Sequence, residues 1–179
     1  MKKSIEYNQD RALAVKLFYI IRDIPYRIPL KFDDADNSCH GKCLLLDDIL
    51  VSYGFKSRIM SCSFGWSKTL KNKKHLKLVN IDIEHHYFIE IYLDGRWIKI
   101  DPTFDSTLKA KLPVNEWDGN KNTGITSIPE KFFSETESRE IFDKESSEGY
   151  FDERMRKNGR LYKALNKKYE IIRKNKTGR

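Results

Sequence analysis

The stretch NSCHGKCLLL at residues 37–46 predicts the first main element of the fold. Asn37 and Ser38 belong to the residue types that most often cap the N-terminus of a helix. The apolar positions that follow recur at helical spacing, and Gly54 is a residue type at which helices commonly end. The sequence therefore predicts a largely buried helix over residues 39–53, with a cysteine as its first residue.

A second stretch, HHYFIEIYLDGRWIKID at residues 85–101, predicts a β-hairpin. Asp94-Gly95 separates two alternating runs and is a strong signal for a two-residue turn. With this turn, His86 lies on the same face as Asp101 and diagonal to it, with Cβ atoms about 7 Å apart. His85 points to the opposite face. The hairpin register therefore brings one imidazole within hydrogen-bonding reach of one carboxylate.

The other elements of the N-terminal part follow from apolar spacing and from turn residues. Dense apolar positions predict a buried helix over residues 9–23, which ends before Pro25. A strand is expected over residues 56–63, and the lysine-rich residues 68–74 are expected to form a solvated loop. These elements place one helix on each side of the polar connection that precedes the cysteine.

The C-terminal part is predicted to be a loop, a charged segment at residues 134–148 and a helix over residues 149–174. An apolar stripe along that helix indicates docking on the core. We expect residues 1–110 to form the catalytic core and residues 111–179 to pack on it within the same domain. The predicted fold class is α+β, with a central N-terminal helix packed on an antiparallel sheet and a C-terminal helical extension.

Composition indicates a folded protein with a heavily charged surface. The chain has 179 residues, of which 39% are apolar and 34% charged, and this length suffices for a hydrophobic core. No apolar run approaches the roughly 20 residues of a membrane span, and residues 1–10 lack the apolar core of a secretory signal. Three cysteines, two of them one helical turn apart, fit free thiols in a reducing compartment. We therefore expect a cytoplasmic protein with no membrane contact.

The net charge of +8 raises the alternative of a basic nucleic-acid-binding domain. Much of the excess charge lies in residues 68–74 and 163–179, where aromatic residues are not interleaved in a stacking pattern. The distribution favours a solvated loop and a charged helix face, and so it disfavours nucleic acid as a partner.

The order of these motifs resembles the transglutaminase-like superfamily of papain-like thiol enzymes. The resemblance covers about residues 10–105 and rests on Cys39 to Lys42, Leu44-Leu45, Gly54, Arg58, His86 to Glu90, Asp94-Gly95-Arg96-Trp97 and Asp101-Pro102-Thr103. It implies a papain-like fold in which Cys39 is the nucleophile, His86 the base and Asp101 the acid that orients the imidazole. The implied reaction is acyl transfer from an amide through a Cys-His-Asp triad and an acyl-enzyme.

The chemistry of such a triad fits the predicted positions. A thiolate is the reactive form of cysteine, and both a helix N-terminus and a neighbouring imidazolium favour it. His86 would protonate the leaving amine and then activate the incoming nucleophile, while Asp101 holds its tautomer. The backbone N–H of Cys39 is one natural oxyanion donor, and the second donor stays open between Asn37 and Tyr26.

Two acceptors fit the same triad. Water as the acceptor gives a protease or amidase, and an amine gives a transglutaminase-type product. The chain shows no further domains for holding two protein substrates, which favours hydrolysis of a peptide or protein amide. A binding module that has lost turnover is an alternative of another class, and the intact Cys39, His86 and Asp101 argue against it.

Several neighbouring residues have simpler explanations. His40 and Lys42, in the first helical turn, either line the cleft as substrate contacts or are solvated. Cys43 and Cys62 are expected to be buried structural residues. His85 and His86 are potential metal ligands beside the cysteines, but adjacent strand residues face opposite ways and the cysteine spacing lacks a Cys-x-x-Cys knuckle.

Other ligands find little support in the sequence. There is no glycine-rich phosphate loop in the sequence. We therefore expect neither a metal nor another cofactor, and no sequence pattern sets an oligomeric state.

Overall fold

A four-stranded antiparallel sheet and six α-helices form the part of the chain described by the computed structural model, residues 2–177. The protein is therefore of the predicted α+β class. The helices are α1 (Lys2–Arg22), α2 (Cys39–Ser52), α3 (Trp66–Thr69), α4 (Lys73–Leu76), α5 (Glu135–Glu145) and α6 (Glu148–Thr177), and the strands are β1 (Ser57–Gly65), β2 (Ile83–Leu93), β3 (Arg96–Ile100) and β4 (Pro129–Phe132).

The sheet has the strand order β3-β2-β1-β4. Its β2–β3 hairpin has the predicted register, with Leu93 opposite Arg96 and Glu90 opposite Lys99. The turn residues both have positive φ, 52° at Asp94 and 77° at Gly95, as a type I′ turn requires. The predicted hairpin is therefore confirmed.

Helix α2 packs against α1 and against the sheet through the main hydrophobic core. It begins at Cys39, and the chain leaves it through Gly54 at φ 83°, a conformation that favours glycine. The predicted central helix on an antiparallel sheet is confirmed. The buried members of this core are Ala14, Leu17, Phe18, Ile21, Cys43, Leu46, Leu50, Tyr87, Ile89, Ile91, Ile98, Ile100 and Trp117.

Helix α1 begins at Lys2 rather than at residue 9. Its first residues include lysine, glutamate and glutamine, which continue a helix well without following an apolar pattern. The lysine-rich residues 68–74, predicted to be a loop, lie partly in the short helices α3 and α4.

The segment between the hairpin and the last helix differs most from the prediction. Residues 129–132 form β4, which pairs with the end of β1, instead of a loop. Residues 135–145 form α5, whose N-terminus carries a capping box of Ser134 and Glu137. Pro129 lacks an N–H group and β4 is an edge strand, so its sequence has no central-strand pattern.

Helix α6 docks on the rest of the chain as its apolar stripe predicted. Leu161 and Leu165 are fully buried in a second hydrophobic cluster that also contains Trp66 of α3. Asn166 fixes the helix to the chain before α2: its Oδ1 accepts a hydrogen bond from Ile28 N at 3.0 Å, and its Nδ2 donates to Ile28 O at 2.8 Å. Across residues 2–177, none of the helices combines the length and apolar character that a bilayer-spanning segment requires.

Candidate active site

His86 and Asp101 form a buried pair at the end of the hairpin. His86 Nε2 donates to Asp101 Oδ2 at 2.8 Å, so the predicted contact between imidazole and carboxylate is confirmed. His86 is 5% exposed to solvent and Asp101 is 0% exposed. The backbone N–H of Thr126 donates to the same Oδ2 at 2.8 Å, and that of Thr103 donates to Oδ1 at 3.0 Å. The carboxylate is therefore fixed by three donors.

Electrostatics favours an imidazolium–carboxylate pair. Burial opposes the charged form of His86, but the charges of Asp101 and Cys39 outweigh it and hold the pKa of His86 well above its usual value. Burial alone would raise the pKa of Asp101, yet the imidazolium and the hydrogen bonds of the carboxylate hold that pKa below its usual value. Nε2 is bound to Asp101, so Nδ1 is the ring nitrogen left for the thiol.

Cys39 is the first residue of α2 and lines the same cavity as His86. The N-cap residue Ser38 makes no side-chain hydrogen bond to the helix, so the first-turn N–H groups are not capped by it. The chain before the helix lies tightly over this turn, since a Cβ on Gly41 would come within 1.9 Å of Asp36 O. The helix start therefore presents a partly exposed thiol beside N–H groups that the Ser38 side chain does not cap.

His40 lies on the cavity wall in a fixed orientation. Its Nδ1 donates to Asp36 Oδ2 at 3.1 Å, and its Nε2 lies 3.1 Å from Ser146 Oγ. The ring also stacks on Phe142, with centroids 4.1 Å apart. Of the two alternatives from the sequence, the structure favours a cleft-lining residue over a solvated one.

Lys42 fits neither alternative, since its side chain is buried and faces away from solvent. Its Nζ donates to Arg22 O at 2.8 Å and to Thr103 O at 2.9 Å. Burial lowers the pKa of Lys42 to about 8, against the attraction of Asp105 and other carboxylates. The sequence signal for this role is weak, because a lysine one turn into a helix is usually on a solvated face.

The two candidates for a second oxyanion donor both line a small cleft, and Tyr26 also lines the cavity of Cys39. Tyr26 lines the cavity with Cys39, and its pKa is raised well above the usual value by burial and by the charge of Cys39. Its hydroxyl is therefore neutral and can donate a hydrogen bond. Asn37 lines a separate cleft of about 210 Å³ beside Asn166 and Arg173. Of the two, Tyr26 is the one that lines the cavity with Cys39.

The cavity beside Cys39 has a volume of about 930 Å³, near the upper end of the range for ligand pockets, roughly 300–1,000 Å³. Aromatic side chains supply much of its wall, including Phe64, Trp66, Phe104, Tyr162 and Tyr169. Helix α6 forms one side of the cavity, a contribution that the sequence did not predict because its docking site depends on tertiary packing.

A cluster around Glu145 holds the side chain of His85. His85 Nδ1 donates to Glu145 at 2.7 Å, and the hydroxyls of Tyr87 and Tyr150 donate to it at 2.6 and 2.5 Å. The prediction that His85 points away from Asp101 is confirmed. This buried carboxylate joins the end of α5 to β2, and neither its role nor that of Thr126 was predicted, since both depend on contacts between distant segments.

The remaining cysteines are buried and form no disulfide. Cys43 and Cys62 are both 0% exposed, as predicted, and the three cysteines are free thiols. Within the described residues, no group of three or more His, Cys, Asp and Glu side chains is arranged to hold a metal ion.

Three comparisons with known proteins bear on the family of the chain. Their result leaves the transglutaminase-like resemblance as a prediction from the motif residues. Neither a protein-family model, nor a curated protein, nor a solved structure matches the chain.

Proposed function

We propose that the protein is a thiol-dependent acyl-transfer enzyme that cleaves amide or peptide bonds through Cys39, His86 and Asp101. The observation that carries the proposal is the buried hydrogen bond from His86 Nε2 to Asp101 Oδ2, in a cavity that Cys39 also lines. A helix carrying the nucleophile against an antiparallel sheet carrying the imidazole is the arrangement of papain-like and transglutaminase-like enzymes. We therefore assign the core to that fold.

In the first half of the reaction, the Cys39 thiolate attacks the carbonyl carbon of the amide. The raised pKa of His86 keeps its imidazole protonated, which stabilises a neighbouring thiolate. The backbone N–H of Cys39 and the hydroxyl of Tyr26 donate to the oxyanion that develops on the carbonyl oxygen. His86 Nδ1 then gives its proton to the leaving amine, the carbon–nitrogen bond breaks and a thioester remains.

In the second half, the neutral imidazole takes a proton from water, and the resulting hydroxide attacks the thioester carbon. This proton transfer restores the imidazolium, and loss of the Cys39 thiolate from the tetrahedral intermediate then releases the carboxylic acid. Asp101 stays ionised throughout, because its three hydrogen-bond donors favour the carboxylate. An amine in place of water gives the transglutaminase-type product by the same steps.

Alkylation of each cysteine by iodoacetamide, read by peptide mass spectrometry across pH, tests the proposed nucleophile. We expect Cys39 to react rapidly at about pH 6, where an ordinary thiol is almost fully protonated. The reaction at Cys39 should slow in His86→Ala, because the neighbouring imidazolium is lost. Cys43 and Cys62 are internal controls, since both are buried.

An inert Cys39, or one that reacts only with the pH dependence of an ordinary thiol in both proteins, would contradict the proposal. If Cys39 instead reacts as expected, substrates can be sought by incubating the protein with a peptide library. The mass of the Cys39 peptide then shows whether a thioester has been trapped. Adding a primary amine to the same reaction separates the two acceptors, because an amide product replaces the carboxylic acid when the amine is preferred.

A further inference from the structure

A guanidinium group is held in a fixed position in the cavity of Cys39. Arg154 of α6 lines this cavity, and its Nε donates a hydrogen bond to the hydroxyl of Tyr162 at 3.1 Å. Its Cζ also lies 4.9 Å from the centre of the Tyr162 ring. Tyr162 is 1% exposed, so the side chain that orients the guanidinium is itself fixed by close packing.

The two Nη atoms of Arg154 remain available to a ligand. Within residues 2–177, the side chain makes its one hydrogen bond through Nε and forms no salt bridge. Neither Nη atom is among the buried polar atoms that lack a partner, so both have surface that a ligand can contact. Together they form a planar fork of N–H donors, whose geometry matches the two oxygens of a carboxylate.

Glu84 connects this guanidinium to the strand that carries His86. Its Oε1 accepts hydrogen bonds from the Tyr162 hydroxyl and from Asn158 Nδ2, the latter at 2.6 Å. Glu84 and His86 are two residues apart on β2 and therefore face the same side of the sheet, with Cα atoms about 7 Å apart. The contacts from Glu84 through Tyr162 to Arg154 then place the guanidinium within a few residues of extended peptide from the imidazole.

The charges along the cavity also favour an anionic ligand. Glu84 is the one carboxylate among the described residues that line it, and this carboxylate forms no salt bridge with Arg154. Four lysines line the same cavity, and none of them forms a salt bridge within the described part of the chain. They are Lys71, Lys111, Lys167 and Lys168. The cavity therefore has a positive potential that attracts anions toward the guanidinium.

We propose that Arg154 binds a carboxylate of the acyl-donor peptide and determines the specificity of the candidate active site. The two Nη groups donate parallel hydrogen bonds to the two carboxylate oxygens. The substrate class is then a peptide with apolar side chains against the aromatic wall and a carboxylate at Arg154, supplied by an acidic side chain or by the chain terminus. This substrate class rests on the proposed function, whereas binding of a carboxylate at Arg154 does not.

Three pools of N-acetylated tripeptides test the carboxylate and identify its source. All pools have mixed apolar residues at the first two positions; the third residue is a glutamate carboxamide, a glutamine free acid or the neutral glutamine carboxamide. Each pool is passed over immobilised Cys39→Ala, which cannot form an acyl-enzyme, and the retained peptides are measured by mass spectrometry. We expect at least one acidic pool to be retained about tenfold more than the neutral pool, because hydrogen bonds to charged groups are strong. A side chain is the source if the glutamate pool is preferred, and a chain terminus if the free acid is.

Arg154→Gln, made in the Cys39→Ala background, should remove the preference for acidic peptides. The matched control is Arg156→Gln, at an exposed position of the same helix, which loses the same charge and should keep the preference. Arg154→Lys carries the test if Arg154→Gln does not fold. It keeps the positive charge but lacks the planar fork, so the preference should fall.

Equal retention of the three pools, whether high or low, would overturn the role of Arg154, as would a preference that persists undiminished in its variants. An equal loss in Arg156→Gln would also overturn it, because the net charge would then explain the preference. Retention on Cys39→Ala needs no thiol, so these results are separable from the alkylation of Cys39. A carboxylate preference together with an inert Cys39 would support the role of Arg154 and contradict the enzyme.

Discussion

The ammonium group of Lys42 lies 2.9 Å from the carbonyl oxygen of Thr103 and donates a hydrogen bond to it. Lys42 is three residues beyond Cys39 on α2, and Thr103 donates its own N–H to Asp101. One buried side chain therefore joins the helix that carries the thiol to the segment that holds the carboxylate. This link explains why a lysine occupies a position that is 1% exposed.

Lys42→Met should destabilise the fold, because the carbonyl groups of Arg22 and Thr103 would stay buried without their donor. The expected loss is about 1–3 kcal/mol in the free energy of unfolding. Urea unfolding measures it, with the exposed Lys16→Met on α1 as the matched control. Equal midpoints for the two variants would show that the buried hydrogen bonds contribute little.

Asp101→Asn should lower the pKa of His86 toward its usual value. Burial already favours the neutral imidazole, and the carboxylate charge is the largest of the effects that raise this pKa against it. NMR titration of the imidazole measures the pKa directly. An amide also fails to hold the His86 tautomer that the proposed mechanism requires, and in serine proteases the corresponding change lowers kcat by about 10⁴. We expect a loss of the same order once a substrate is in hand.

The control for this change is Asp48→Asn, at an exposed position on α2. It alters the net charge equally without touching the buried pair. If both variants moved the pKa of His86 by the same amount, the net charge of the protein, rather than the contact with Asp101, would account for the raised pKa of His86.

The hairpin is the part of the site that the sequence predicted in detail. Asp94-Gly95 sets the register locally, and alternation then assigns His86 and Asp101 to one face. The approach of Cys39 was not predictable in this way, since it depends on how α2 packs against the sheet. The burial of Lys42 and the cavity wall from α6 depend on the same long-range packing.

The segment from β4 to α5 carries a local signal for its helix but none for its strand. Ser134 and Glu137 have the spacing of a capping box, which is a sequence-level mark of the start of α5. Strand β4 has no comparable mark, because Pro129 and charged residues make an edge strand resemble a loop. Composition likewise shows that the chain is basic, but the concentration of positive charge around the cavity depends on tertiary packing.

Gly41→Ala should disturb the start of α2, the helix that begins at Cys39. The added Cβ would come within 1.9 Å of Asp36 O, and this neighbour is backbone rather than a flexible side chain. We expect slower alkylation of Cys39 and a loss of stability of about 1–3 kcal/mol, the range for overpacking. Gly149→Ala is the matched control, since a Cβ there meets no atom within 4 Å.

In an α-helix, glycine to alanine alone stabilises by up to about 1 kcal/mol. Gly149→Ala should therefore be neutral or slightly stabilising in urea unfolding. A similar gain for Gly41→Ala would mean that residues 36–38 shift easily, and the tight packing over the first turn would have no role in placing the thiol.

The Glu145 cluster gives the fold a defined dependence on pH. Burial alone would raise the pKa of Glu145, but hydrogen bonds from His85, Tyr150 and Tyr87 hold it below its usual value of about 4.5. The unfolded chain therefore binds more protons than the folded protein below that pH, and the free energy of unfolding rises with pH there. The stabilisation is complete above about pH 4.5 and is lost as pH falls through the lower pKa of the folded state.

Glu145→Gln should remove this contribution. In urea unfolding at about pH 6.5, well above the usual carboxyl pKa, the variant should be less stable than wild type by about 1–3 kcal/mol, since hydrogen bonds to a buried charged group are lost. The deficit should shrink at about pH 3.5, where a glutamate in the unfolded chain is mostly protonated. Glu140→Gln, at an exposed position on α5, should show no deficit at either pH. A loss of stability of the same size at both pH values would assign the effect to packing around the new amide. The contribution of a carboxylate charge must instead change with pH, because the carboxylate becomes protonated at low pH.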